Sequence, residues 1–140
     1  MADSFELEVA TPARQLVREE VTEAQIPGKD GYLGILPGHA PLLSILGTGF
    51  LSYVAGGKRR YLSIHGGFLE VLQDHVRVLA ELAERAEEID VERARRAFQR
   101  AQEQLINPNL GIDPAVALAA LNRAEARIEA AEQKEPGRAS

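Results

Sequence analysis

The chain has 140 residues and a formal net charge of −5, which argues against a general affinity for nucleic acid or anionic lipid. Hydrophobic residues make up 45% of it but aromatic residues only 5%, so the core has to be aliphatic. The absence of Cys excludes disulfides, thiolate metal sites and cysteine nucleophiles.

The acidic start MADSFE lacks the basic and apolar regions of a signal peptide. No stretch approaches the roughly 18 to 20 apolar residues that a membrane-spanning helix requires. We therefore expect no direct insertion into a membrane.

The first part of the chain predicts short strands. Residues 5–9 alternate apolar and polar side chains, and residues 16–21 are a second candidate. A turn cluster at 26–31 precedes residues 33–36, and Pro37-Gly38 turns the chain again. Two hairpins follow: residues 49–54 and 60–64 around Gly56-Gly57, and residues 68–72 and 75–80 around Gln73-Asp74. This pattern is typical of an antiparallel sandwich or a flattened barrel.

After a boundary near residues 85–89 the apolar period becomes helical. Asp90 is a candidate N-cap for the first helix, and Asp113-Pro114 is a typical start for the second. The short breaker at 107–112 implies antiparallel neighbours. Because Ala buries little area, we expect a weakly held hairpin, with a frayed tail at 135–140. The two apolar stripes are Val91, Ala94, Phe98, Ala101, Leu105 and Ala117, Leu121, Ala124, Ile128, Ala131.

The sequence contains no recognisable catalytic or metal-binding motif. His39, His65 and His75 lack a second ligand at a metal-site spacing. Ser63 and His65 face the same side of a strand, but without an elbow motif or a third partner a hydrolytic triad is disfavoured. We therefore predict no catalytic residues, no metal and no required cofactor, and a small β-sandwich enzyme is disfavoured.

Arginines flank both helical stripes. Arg93, Arg100, Arg123 and Arg127 each precede a stripe residue, so four guanidinium groups could converge on phosphate oxygens if the helices pack antiparallel. Asp90 could then bind an adenine amino group or a ribose hydroxyl. The alternative is an ordinary solvated surface, with Glu92–Arg96 as a helical ion pair and Asp90 only a cap.

The whole chain, from residue 4 to about residue 132, resembles the ε subunit of bacterial F-type ATP synthase. The most specific segment is GYLGILPGHAPLL at residues 31–43, which is similar to the family pattern G-x-x-G-I-x-P-G-H-A-P-L-L. Residues 5–12, FELEVATP, and residues 64–71, IHGGFLEV, also match. The resemblance implies an α+β chain, with an N-terminal antiparallel β-sandwich of about ten strands at residues 1–86 and a C-terminal antiparallel two-helix hairpin at residues 87–140.

The resemblance also implies a function. The family's ε subunit is a non-catalytic rotor subunit that binds the γ subunit and the membrane c-ring and couples proton-driven rotation to ATP synthesis. Its extended helices can reach the α and β subunits and inhibit ATP hydrolysis. It is peripheral, at the cytoplasmic face of the bacterial plasma membrane. Candidate contacts to γ or the c-ring are Asp30, Tyr32 and His39, where Tyr32 replaces a frequently acidic residue in the loop facing the c-ring.

Some members of that family bind ATP as a regulatory ligand through the motif I/L-D-x-x-R-A. Residues 89–94, IDVERA, fit it at every fixed position. Carried over by resemblance, the candidate ATP site is Glu84, Ile89, Asp90, Arg93, Ala94, Arg100, Arg123 and Arg127. A competing hypothesis is a free-standing nucleotide-sensing module.

Overall fold

The computed structural model describes residues 3–133, and the predicted frayed tail lies outside that range. Short 3-10 turns at Ala86–Glu88 and Pro108–Leu110 precede the two helices. The strands are β1 (Phe5–Ala10), β2 (Gln15–Val21), β3 (Glu23–Gly28), β4 (Gly31–Ile35), β5 (Leu42–Ala55), β6 (Lys58–Leu72) and β7 (His75–Arg85), and the helices are α1 (Val91–Ile106) and α2 (Pro114–Gln133).

The strands form one sheet in the order β2-β1-β7-β6-β5-β3-β4. Every pairing is antiparallel except β1 with β7, which is parallel. Both predicted hairpins are confirmed. Gly56 and Gly57 join β5 to β6 at φ of 58° and 77°, and Asp74 turns β6 into β7 at φ of 60°.

The sheet folds over itself along a line that crosses β5, β6 and β7. In β6, Leu62 and Ile64 point into the core before this line, and Leu69 and Val71 do so after it. The inward side therefore changes parity, as a β-bulge produces. Gly66 and Gly67 lie at the line with φ of 72° and 119°, where side chains are strongly disfavoured.

This bend makes a sandwich from a single sheet, so the predicted α+β architecture is confirmed. The expected number of strands differs, because seven are present within residues 3–133 instead of about ten. The segments predicted as separate strands at 60–64 and 68–72 are one continuous strand, β6. Counting the two halves of β5, β6 and β7 separately accounts for the difference.

The two helices form the predicted antiparallel hairpin. Asp90 caps α1 by accepting a hydrogen bond from the Arg93 amide at 3.1 Å. Arg95 at the start of α1 pairs with Glu132 at the end of α2, at 2.9 Å. Each predicted stripe contains buried alanines: Ala94 and Ala101 in α1, and Ala117, Ala124 and Ala131 in α2. Within residues 3–133, neither helix is long and apolar enough to cross a bilayer.

Helix α2 lies over β5 and β6, on the outer face of the half of the sheet that carries Phe50 and Tyr61. Its contact residues there include Ala126 and Ala130, a second buried row that the sequence pattern did not predict. Ala130 belongs to a small apolar cluster with Ile89, against which Phe50 and Tyr61 pack. The sheet core itself is made of residues from β1 to β7 alone.

A polar network links the sheet to α2 beside this cluster. Glu84 Oε1 accepts hydrogen bonds from Arg127 Nε at 2.7 Å and from Ser63 Oγ at 3.1 Å, and His65 Nε2 lies 3.6 Å away. His65, Arg127 and Ser63 together lower the pKa of Glu84 from its ordinary 4.5 to about 2, against the opposing effect of burial. The ionised carboxylate is therefore part of the docked arrangement.

Replacing Glu84 by Gln should weaken the attachment of α2. We expect the free energy of unfolding near pH 7 to fall by about 1–2 kcal/mol, a modest figure because both partners remain partly exposed. The pKa of Glu84 is lower in the folded than in the unfolded chain, so its stabilisation is complete above 4.5 and is lost as the pH falls toward 2. Urea unfolding near pH 7 and near pH 3 measures this.

The matched control is Glu92→Gln. Glu92 pairs with Arg95 at 2.8 Å, but its side chain is 70% exposed. The control should change stability by less than about 0.5 kcal/mol at both pH values. Equal losses in the two variants, or a Glu84 effect that does not shrink near pH 3, would contradict this role for Glu84.

Candidate functional site

A charged cavity opens where the end of β7, the turn after it, α1 and α2 meet. Its volume is about 650 Å³. Most of its lining side chains are charged, and they come from all four segments: Glu84, Glu88, Asp90, Arg93, Ala94, Arg96, Ala97, Arg100 and Arg127.

Each carboxylate of the cavity already has a partner. Glu84 is held by Arg127 and Ser63. Glu88 accepts two hydrogen bonds from Arg14, at 2.6 and 2.9 Å, and this contact lowers the pKa of Glu88. Asp90 caps α1. The acidic groups of the cavity are therefore fixed in place by the fold.

Three arginines of the cavity lack such a partner. Within residues 3–133, no carboxylate lies within 4.0 Å of the guanidinium groups of Arg93, Arg96 or Arg100. The predicted Glu92–Arg96 pair is wrong, since Glu92 pairs with Arg95 instead. Residues three apart on a helix are neighbours as readily as residues four apart. Here Arg95 lies between Glu92 and Glu132 of α2, whereas Arg96 lines the cavity.

The structure brings most of the predicted ATP-site residues together. Glu84, Asp90, Arg93, Ala94, Arg100 and Arg127 line the cavity. Ile89 is buried beneath it with Ala130 and Ala131. Arg123 does not join them, because its side chain is exposed and lies outside the lining.

Sequence reasoning missed Arg96 and Glu88 as cavity residues. Arg96 follows Arg93 by three positions and precedes Arg100 by four, which is the spacing of one helix face. That signal was available in the sequence. Glu88 carried no such signal, since its position depends on the 3-10 turn and on Arg14, which is 74 residues away in the chain.

Ser63, His65 and Glu84 form a chain of polar contacts, but in the wrong order for a hydrolytic triad. Ser63 Oγ donates to Glu84, so the 3.1 Å contact with His65 requires His65 Nε2–H to donate to Ser63. A nucleophilic serine needs the opposite arrangement, with histidine accepting its proton. Ser63 is therefore a structural link between His65 and Glu84.

The three candidate partner-contact residues lie in different places. Asp30 lies in the β3–β4 turn, and His39 lies in the loop before β5, where its Nδ1 is 2.7 Å from the Ala40 carbonyl. Tyr32 is in β4, so its expected loop position is wrong. Its hydroxyl accepts a hydrogen bond from the Phe50 amide at 3.0 Å, and its ring packs on Phe50 at 5.3 Å. Tyr32 thus belongs to the region where α2 docks.

The sequence matches two family descriptions in succession. Residues 4–86 match "ATP synthase, Delta/Epsilon chain, beta-sandwich domain". Residues 87–132 match "ATP synthase, Delta/Epsilon chain, long alpha-helix domain".

Relatives and solved structures agree with this match. An ATP synthase epsilon chain of Solibacter usitatus is 64% identical over 134 residues, covering 96% of this chain and 100% of the relative. One of Nitratidesulfovibrio vulgaris is 46% identical, covering 91% of this chain and 96% of the relative.

A chain in the OSCP/F1/c-ring structure of the Euglena gracilis mitochondrial ATP synthase superposes with a TM-score of 0.79 at 29% identity. That superposition covers 94% of this chain and 83% of the other. A chain in the central stalk/c-ring structure of the Tetrahymena thermophila enzyme shares the fold at a TM-score of 0.60 and 11% identity, covering 91% of this chain and 96% of the other. From its sequence and its fold, this chain belongs to the ATP synthase delta/epsilon chain family.

Proposed function

We propose that this chain is a non-catalytic rotor subunit of an F-type ATP synthase, and that its helical hairpin regulates ATP hydrolysis. The observation that carries the regulatory part is the way the hairpin docks. Helix α2 rests on the sheet through alanines, two aromatic rings and the Glu84–Arg127 pair, while the sheet has a separate core. The hairpin can therefore leave without disrupting the sandwich.

An apolar surface on the outer face of the sheet supports docking to the γ subunit of the stalk. Ile45, Phe68 and Leu79 are cross-strand neighbours on β5, β6 and β7, and Leu79 in turn pairs with Ala10 of β1. Phe68 is 56% exposed and Leu43, on the same face, is 72% exposed. A contiguous apolar row of this kind is typical of a protein interface. We call Leu43, Ile45, Phe68 and Leu79 the β-face patch.

The proposed partners also include the c-ring and the α and β subunits. Asp30 and His39, in separate turns, are candidate contacts to the c-ring. The hairpin tip carries exposed apolar side chains that its own packing leaves uncovered: Ile106, Leu110, Ile112 and Val116. They support contacts to the α and β subunits when the helices extend. In this assembly the chain is peripheral, at the cytoplasmic face of a bacterial plasma membrane.

The charged cavity is proposed as a site for ATP as a regulatory ligand. Arg93, Arg100 and Arg127 would hold phosphate oxygens, since guanidinium forks match them in shape and charge. Asp90 and Glu84 would face the ribose or the base. Because α1 and α2 both line the cavity, ATP would bind the docked hairpin better than the extended one and shift the population toward it.

A free-standing nucleotide sensor is the second candidate function. The observation that favours it is that arginines and carboxylates of this chain already converge on one cavity. Such a sensor would bind ATP without joining any complex, so association with γ separates the two functions.

Removal of residues 89–140 should release the regulation but keep the attachment. Reconstituted with the other F1 subunits, the truncated chain should still co-purify with γ, because the β-face patch is intact. ATP hydrolysis by that complex should be faster than with the full chain. The measurement is the steady-state ATPase rate of the purified complex.

The control is Phe68→Asp in the full chain. A charge in the β-face patch should abolish co-purification with γ while the chain remains folded, because Phe68 is already exposed. If truncation leaves hydrolysis unchanged, the hairpin is not regulatory. If the full chain fails to co-purify with γ, the rotor function itself is wrong.

Arg93→Ala should weaken ATP binding to the isolated chain. Loss of charge-assisted hydrogen bonds costs about 1.5–3 kcal/mol each, which is roughly a tenfold or greater rise in Kd. Arg123→Ala is the control, since Arg123 lies outside the cavity. This variant should bind ATP as tightly as the unmodified chain. Isothermal titration calorimetry decides, and equal Kd values for Arg93→Ala and the unmodified chain would reject the cavity as the site.

A further inference from the structure

One face of α1 presents three arginines to the cavity. Arg93, Arg96 and Arg100 are separated by three and four positions, so they lie on one side of the helix over about 10 Å of its length. Within the described part of the chain, no carboxylate lies within 4.0 Å of any of the three. Unpaired like charges this close together repel one another, and a multivalent anion would relieve that repulsion.

The lack of carboxylate partners is a property of the cavity-facing side of α1 and not of the whole helix, as Arg95 shows. It pairs with Glu92 at 2.8 Å and with Glu132 at 2.9 Å, and it does not line the cavity. The fold thus neutralises the arginine that faces away from the cavity and leaves its neighbour Arg96 unpaired.

The other charges of the cavity cannot serve as partners for these arginines without breaking existing contacts. Glu84 is held by Arg127, and Glu88 by two bonds from Arg14. Asp90 is occupied by the cap of α1. The cavity therefore offers a row of three cations to a ligand, beside acidic groups that are already satisfied.

We propose that Arg96, together with Arg93 and Arg100, binds the linear polyphosphate part of the ligand, which then supplies more of the recognition than the nucleoside does. A row of three forks suits a chain of phosphates better than a single phosphate, because each guanidinium can hold a different phosphoryl group. This inference rests on the proposed function of the cavity, and it adds Arg96 as a binding residue in the docked hairpin in place of Arg123.

The test is calorimetric titration of the full chain with ATP, inorganic tripolyphosphate and adenosine. Tripolyphosphate should bind, and it should compete with ATP, whereas adenosine should bind far more weakly than either. Arg96→Gln should raise the Kd for both ATP and tripolyphosphate by about tenfold or more. Arg95→Gln, which removes a neighbouring cation outside the cavity, should change both values by less than about twofold.

The outcomes separate this inference from the proposed ATP site. If the unmodified chain binds ATP and Arg96→Gln binds it equally well, the role of Arg96 is wrong and the ATP site stands. If ATP binds but tripolyphosphate does not, the phosphate chain does not dominate recognition and the inference is overturned. If neither binds, the inference and the ATP site fall together. Tripolyphosphate binding that is lost in Arg96→Gln supports the inference even if ATP binds no more tightly than tripolyphosphate.

Discussion

The carboxylate of Glu84 joins the sheet, the hairpin and the charged cavity. It accepts hydrogen bonds from Arg127 of α2 and Ser63 of β6, and His65 Nε2 lies 3.6 Å from it. The same carboxylate lines the cavity. This position depends on the change of parity at the fold line. Ser63 and His65 precede that line in β6, on the half of the sheet where they and Glu84 face away from the sheet core and toward α2. One set of contacts therefore attaches the helix and shapes the site. Any ligand that reinforces Arg127 in the cavity also reinforces the attachment of α2.

The rest of the α2 interface is weak by construction. Alanines bury little apolar area, so the helices approach closely without a large hydrophobic gain. Near Tyr32, burial raises the pKa of Glu129, and Glu125 one turn earlier adds to that effect. Two neighbouring carboxyl groups at the edge of the contact oppose docking when both are ionised. Because these contributions oppose one another, a ligand of ordinary affinity can shift the population between the docked and the undocked hairpin.

Local chemistry made much of this structure predictable. Gly56-Gly57 and Gln73-Asp74 indicated the hairpins, the two aspartates indicated the helix starts, and the alanine spacing indicated the antiparallel pair. The fold line was not predictable, because a change of parity in three adjacent strands depends on their mutual register. The same limit applies to the cavity. Whether Arg96 or Arg123 faces it depends on how α1 and α2 rotate against the sheet. Tyr32 was misplaced because the β3–β4 turn is tight, so that β4 begins at Gly31 and Tyr32 pairs with Pro27.

Amide hydrogen exchange of α2 in the full chain, with and without ATP, tests most directly whether the hairpin is a docked arm coupled to the cavity. Without ligand, the backbone amides of α2 after Pro114 should exchange faster than those in the centre of β6, because the hairpin opens while the sheet remains folded. Addition of ATP should slow exchange in α2 and leave β6 unchanged. Protection of α2 that equals that of β6 and does not respond to ATP would contradict the coupling between the cavity and the docked hairpin.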